Sequence, residues 1–217
     1  MTKHNHIDTF IFDLDHTLYN ADGIFEEMRG KMSMYIAKLF DIEIGAATEI
    51  CLDLYLKYGT TLEGLMAEHS VDPHDFLEYT HAIDPSIIER CEDTAKMLSE
   101  LPGRKLIYTN SPIELADSIL AHLEIPHLFE GIFDIKAAEL VPKPNKAPYL
   151  EFINRYDVNP ETSIMFEDTA KNLVTADIVG FDTVWLSYGR ELGDEHIAHV
   201  DEIYPTLRDW LDDYQKP

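Results

Sequence analysis

Two aspartates, Asp13 and Asp15, stand where the apolar run Ile7-Asp8-Thr9-Phe10-Ile11-Phe12 ends. Residues two apart near a strand end project to the same side, so both carboxylates can face one site. Two close carboxylates repel, which favours holding a cation or sharing a proton. A carboxylate can also attack phosphorus and form an aspartyl phosphate. In that chemistry Asp13 attacks, while Asp15 protonates the leaving oxygen and later deprotonates water. Acids at strand ends also serve as turn formers and helix caps. The strand before this pair, and His16-Thr17-Leu18-Tyr19 after it, favour the chemical reading.

A second acidic stretch is Glu167-Asp168-Thr169-Ala170-Lys171-Asn172. Together with Asp13, its carboxylates suit an oxygen-rich Mg2+ site. Asp168 could instead cap the next helix, with Glu167 as a first-turn acid favoured by the helix dipole. Asn172, one turn beyond Asp168, could orient a ligand or Lys143, or face solvent. Thr109-Asn110 precedes a Ser111-Pro112 helix start, where a hydroxyl, an amide and free helix N–H groups would cradle a phosphate. A well-capped helix explains the same residues. Lys143 lies between Pro142 and Pro144, a stiff setting from which an ammonium can neutralise phosphate oxygens.

These residues need strands and helices to position them. Strands are expected at 7–15, 104–110, 132–135, 163–166 and 183–186, with helices from Ser111, near 148–156 and from Ala170. Ser111, Pro112 and Glu114 spell a capping box. Between about residues 20 and 100 the period is helical. Phe25, Met28, Met32, Tyr35 or Ile36, and Leu39 recur at helical spacing, as do Ala47, Ile50, Cys51, Leu54 and Tyr58. Shorter helical stretches follow at 62–69, 73–81 and 86–98. The tail at 201–213 reads as a helix with a solvated acidic face and Tyr204, Leu207, Trp210 and Leu211 turned inward. The expected class is α/β: a parallel sheet covered on both faces, with a helical block inserted after the first strand. Ligands bind beyond the carboxyl ends of such strands, where Asp13, Asp15, Thr109, Asn110, Glu167 and Asp168 all fall.

The 217 residues are 45% hydrophobic and 27% charged, apolar enough for a buried core. Seventeen basic residues against 41 acids leave a formal charge of −24. Nucleic acid and anionic membrane are therefore not expected partners. A phosphate dianion meeting that charge needs local positive sources, and Mg2+, Lys143 and a helix N-terminus would supply three. Cys51 and Cys91 are too few for a disulfide framework, and the N-terminus has no apolar leader, so a reduced, cytoplasmic setting is expected. The sequence has no Gly-x-Ser-x-Gly elbow, Walker loop, Gly-x-Gly-x-x-Gly or Cys-x-x-Cys. His196 and His199 can share a helix face but lack a third metal ligand.

Taken in order, Asp13-x-Asp15-x-Thr17, Thr109-Asn110, Lys143-Pro144 and Glu167-Asp168 resemble the four motifs of the haloacid dehalogenase-like (HAD) hydrolase superfamily, across essentially the whole chain. The resemblance implies a HAD-like Rossmannoid core, residues 1–19 and 101–217, with a C1-type helical cap at residues 20–100. It implies that Asp13 is the nucleophile and Asp15 the general acid and base, with Thr109, Asn110 and Lys143 around the phosphoryl group. It also implies Mg2+ held by Asp13, the backbone carbonyl of Asp15 and Asp168, with Glu167 and Asn172 as supporting or further ligands. A halide leaves without a proton, and dehalogenases of this group lack the second aspartate, so Asp15 implies phosphoryl transfer.

Residues 55–69, Asp72-Pro73, Tyr79-Thr80-His81, Leu18-Tyr19 and residues 165–173 look like the pyrimidine 5′-nucleotidase branch. That likeness implies nucleoside monophosphates such as UMP or CMP as substrates, with Tyr58, Thr60 and Thr61 near a substrate-facing cap loop. The expectation is a Mg2+-dependent phosphomonoester hydrolase. Its rivals are a HAD phosphatase or mutase for a sugar or cofactor phosphate, and a non-catalytic module that binds a phosphorylated ligand.

Overall fold

The structure is a computed structural model that describes residues 4–216; the first three residues of the N-terminal stretch and Pro217 lie outside it. Six strands form one parallel sheet: β1 (Thr9–Phe12), β2 (Arg104–Tyr108), β3 (Gly131–Phe133), β4 (Ser163–Glu167), β5 (Asp182–Leu186) and β6 (Glu202–Tyr204). Their order is β3-β2-β1-β4-β5-β6. β1 is buried along its whole length, as an apolar run with a paired strand on each side requires. The chain builds outward from β1 to β3, then returns to β4 and builds the other way. The order therefore reverses between β1 and β4, and a crevice opens beyond their carboxyl ends. Asp13 follows β1, and β4 ends in Glu167 with Asp168 next.

Between β1 and β2 the chain forms α1 (Asp22–Phe40), α2 (Ile44–Tyr58), α3 (Thr61–His69), α4 (Pro73–His81) and α5 (Glu92–Glu100). Each later strand is followed by one helix: α6 (Ile113–His122), α7 (Lys146–Tyr156), α8 (Ala170–Val179), α9 (Asp194–Ile197) and α10 (Leu207–Tyr214). Strand alternation sends Ile11, Leu106, Tyr108, Met165 and Trp185 into one core, with Tyr149 and Phe152 of α7 and Leu173 and Ala176 of α8. Phe10, Phe12 and Phe166 take the other face. There Phe12 stacks on Phe166 with ring centroids 4.9 Å apart, and Trp210 of α10 meets Phe166 edge-on at 4.6 Å.

The chain divides into two compact units, Met1–Asn20 with Glu89–Pro217, and Ala21–Ile88. The first carries the sheet and the second α1 to α4. This differs from the 20–100 boundary: α5 belongs to the sheet unit, where it neighbours α10 and buries Met97 and Leu98. The helical unit has its own core of Ile36, Ala47, Leu54, Leu65, Val71 and Phe76. Thr60 and Asp72 cap α3 and α4 by accepting backbone N–H groups.

Two expectations about single elements are corrected. Residues 86–98 do not form one helix, because extended backbone at Ile88 and Cys91 separates a short turn at Pro85–Ile87 from α5. Residues 201–213 contain β6 as well as α10. Pro205 ends the strand, and a Thr206–Asp209 capping box starts the helix. Leu207, Trp210 and Leu211 are buried, whereas Tyr204 is part-buried and donates its hydroxyl to Asp213 at 2.8 Å. Cys51 and Cys91 are free thiols. Among the described residues no helix is long and apolar enough to cross a membrane.

Candidate active site

At the end of β1 the Asp13 N–H donates to the Phe166 carbonyl at 2.9 Å, which carries the β1–β4 ladder to the site itself. Lys143 reaches Asp13 from the loop before α7. Its side chain is 1% exposed. Nζ donates to Asp13 Oδ1 at 2.7 Å, to Glu167 Oε2 at 2.6 Å and to the Tyr108 carbonyl at 2.9 Å. The ammonium also lies 5.3 Å from the centroid of the Tyr108 ring. Asn110 fixes the lysine's backbone: its Oδ1 accepts the Lys143 N–H at 2.8 Å. The Lys143–Pro144 peptide is cis. Thr109 Oγ1 accepts the Ser111 N–H at 3.0 Å, which leaves its hydroxyl hydrogen to give.

These contacts set the charges. Burial first, then the charge of Glu167, push the Asp13 carboxyl well above the usual carboxylate range, and Lys143 opposes them. Burial also raises Glu167, against the pull of Lys143 and a hydrogen bond from the Asn172 side chain. For Lys143 burial favours the neutral amine, but the two carboxylates outweigh it and hold the ammonium charged. Asp15 is anchored separately. Its Oδ1 accepts the Tyr19 hydroxyl, and its Oδ2 accepts the Ser111 hydroxyl at 2.7 Å. Burial raises this carboxyl too, while both hydroxyl donors pull it down.

Asp13, Glu167 and Asp168 each offer a carboxylate oxygen within 4.8 Å of the other two. An all-oxygen anionic set of this kind suits Mg2+. Glu167 is 1% exposed and engaged by Lys143, whereas Asp13 and Asp168 are 9% and 13% exposed, so those two are the better-placed donors. Arg190, from the loop after β5, braces Asp168 by donating to its carbonyl at 2.7 Å and to Oδ2 at 3.3 Å. Asn172 contributes through Glu167, the partner of Lys143, and its carbonyl accepts the Tyr149 hydroxyl at 2.7 Å.

Tyr58, Thr60 and Thr61 lie in the helical unit, and their hydroxyls are engaged there. Tyr58 donates to Glu68 at 2.7 Å, Thr60 accepts the Glu63 N–H at 3.0 Å, and Thr61 donates to the Cys51 carbonyl at 3.2 Å. His199 Nε2 lies 2.6 Å from the carbonyl of Ala170, the first residue of α8.

Sequence reasoning missed Tyr19, Ser111 and Arg190 at the site. The capping box expected at Ser111 does not form. Pro112 precedes α6, Asp134 Oδ2 accepts the Ile113 N–H at 2.9 Å, and the Ser111 hydroxyl turns to Asp15 instead. Tyr19 carried one usable signal, its place four residues after Asp15 in the same turn. Arg190 carried none.

A doubly wound parallel sheet with a lysine-braced carboxylate cluster at its switch point defines a Rossmann-like α/β protein. The chain belongs to the haloacid dehalogenase-like hydrolases, whose family model matches residues 7–180. It is 27% identical over 107 residues to a phosphoglycolate phosphatase of Psychrobacter arcticus, a match covering 48% of this chain and 44% of that protein. The match thus spans less than half the length of this curated relative. Among solved structures, the chain resembles a HAD phosphatase from Thermococcus onnurineus with a TM-score of 0.72 and 17% identity, over 96% of this chain and 98% of that one. It also resembles an L-2-haloacid dehalogenase from Xanthobacter autotrophicus, with a TM-score of 0.60 and 16% identity over 95% and 97% of the two chains. At these identities the likeness concerns the fold, which phosphatases and dehalogenases share, so the choice between them rests on the site.

Proposed function

We propose that this HAD hydrolase is a Mg2+-dependent phosphomonoester hydrolase that works through an aspartyl phosphate on Asp13. One observation carries the reading: Asp15, a second carboxylate beside the nucleophile, has both oxygens hydrogen-bonded and buried within the site. A halide departs without a proton, so such a group has no use in dehalogenation. An alkoxide leaving group needs one.

Asp13 attacks phosphorus as the ester P–O bond breaks, and the leaving oxygen takes a proton from Asp15. Asp15 then removes a proton from the water that hydrolyses the aspartyl phosphate, which releases phosphate and restores Asp13. Lys143 opposes the burial that favours the neutral form of Asp13 and faces the developing charge, while Glu167 and Asn172 keep the lysine in place. The Thr109 hydroxyl and Asn110 border the position of the phosphoryl group. Asp13, the Asp15 carbonyl and Asp168 would hold Mg2+, which when bound neutralises phosphoryl oxygens.

For the substrate we propose pyrimidine 5′-nucleotides, on the residues at 18–19, 55–69 and 165–173 that resemble that branch. The likeness to a phosphoglycolate phosphatase favours a second reading, a small carboxylated phosphoester. Phosphate release from UMP, CMP, dUMP, AMP, 2-phosphoglycolate, a hexose phosphate and pyridoxal phosphate, with Mg2+ and with EDTA, separates the two. Mg2+-dependent release from the pyrimidine nucleotides supports the first, and release from 2-phosphoglycolate alone replaces it with the second. Absence of release from every compound overturns the hydrolase reading in favour of a binding module.

A further inference from the structure

We propose that Tyr19 and Ser111 are positioning residues for Asp15: gripping one carboxylate oxygen each, they set the direction in which its proton meets the leaving-group oxygen. The proposal rests on the phosphomonoesterase reading above and goes beyond it in assigning two residues outside the four motifs.

A carboxylate held at one oxygen still turns about its Cβ–Cγ bond, because that torsion has a broad, roughly two-fold potential. One hydroxyl on each oxygen removes the freedom. Tyr19 donates to Oδ1 and Ser111 to Oδ2. The two donors come from different strand ends, so the grip refers the carboxylate to the sheet. Tyr19 closes the turn after β1 and forms a backbone bridge with Asp15. Ser111 follows β2, with its own N–H tied to Thr109. All three side chains are buried, which strengthens the hydrogen bonds that hold the carboxylate.

The Ser111 donor is not explained by local structure. The Ser111 hydroxyl leaves the helix-capping role its sequence context offers, and Asp134 caps α6 in its place. The Tyr19 phenol is buried against Asp15 and donates to it. Asp13 is held from another direction by Lys143. Nucleophile and proton donor therefore have independent anchors, and the aim of Asp15 can be disturbed without touching Asp13.

The test compares two esters of nearly equal size, phenyl phosphate and p-nitrophenyl phosphate, in Y19F, S111A, S111T and D15N. Poor leaving groups need the proton and good ones do not. Y19F and S111A are expected to lower kcat/KM, which reports the transfer step in which the leaving group takes its proton, by about ten- to a hundred-fold on phenyl phosphate and by much less on p-nitrophenyl phosphate. S111T, which keeps the hydroxyl, is expected to restore most of the loss. In a D15N background Y19F is expected to add less than about a twofold change, since the group it aims is gone.

Equal loss of kcat/KM on both esters, or the same cost of Y19F with and without Asp15, overturns the proposal. If D15N itself fails to separate the esters, the proton-donor reading of Asp15 falls, which is distinct from D15N separating them while Y19F and S111A do not. Thermal melts accompany each variant. Should Y19F not fold, S111A against S111T decides.

Discussion

Replacing Lys143 by methionine tests whether the lysine is what makes two buried carboxylates tolerable. Methionine keeps the length of the stem and removes the ammonium, with its hydrogen bonds to Asp13, Glu167 and the Tyr108 carbonyl. Removing one partner of a buried ion pair costs about 3–5 kcal/mol, because the remaining charge is left uncompensated. For a chain of this size that corresponds to a fall in melting temperature of roughly 6–20 °C. The sign with pH follows from the raised carboxyls. A carboxyl raised in the folded state carries no penalty below its unfolded value near about 4, and its penalty grows as pH rises towards the folded value. Both Asp13 and Glu167 are raised even with the lysine present, and they rise further without it. The gap between K143M and wild type is therefore expected to be largest near pH 8 and to shrink steadily towards pH 5. Thermal melts of both proteins in EDTA across that range measure it. A gap independent of pH, or none at pH 7.5, refutes the reasoning.

Asp13→Asn is expected to abolish phosphate release in a protein that still folds, because Lys143 keeps Glu167 as a partner; turnover by the folded variant removes Asp13 as nucleophile. Gly103→Ala is expected to destabilise by more than about 1 kcal/mol, measured by urea unfolding. Gly103 has φ +92°, and an added Cβ would clash with the Asp8 carbonyl oxygen, so an unchanged midpoint refutes that account. Trp210→Ala is expected to cost about 3–5 kcal/mol, since it empties the space against Phe166 and Phe10 and strips Glu202 of the indole N–H at 3.1 Å.

What the sequence discloses here is local. β1 is legible because an apolar run with an abrupt acidic stop has few other solutions, and the same holds for the end of β4 at Glu167. Asp13, Glu167 and Asp168 could be placed near one another because parallel strands share a carboxyl edge, whereas Lys143, in a loop, could not be placed that way. β6 was illegible: Glu202-Ile203-Tyr204 is short and half-exposed, and only pairing with β5 makes it a strand. The Ser111 hydroxyl was misread for a related reason. Local spacing offered a helix cap, while its actual partner, Asp15, is brought to it by the pairing of β1 with β2. Arg190 reaches Asp168 because β5 lies beside β4, a neighbourhood that sequence separation hides.

The sheet's strands are unequal, and their arrangement bears on self-association. β2, β4 and β5 have five residues each and β1 has four, and all of these are paired on both sides. The two rim strands, β3 and β6, have only three residues. An open rim is a template on which another chain can add a strand, and its hold grows with the number of backbone groups presented in register. Here the long hydrophobic strands are enclosed and the rims are stubs, with Pro205 stopping β6 from lengthening. Once folded, this sheet offers other copies little to zip onto, so its exposure to strand-mediated aggregation is concentrated in the interval before β2 and β4 have closed around β1.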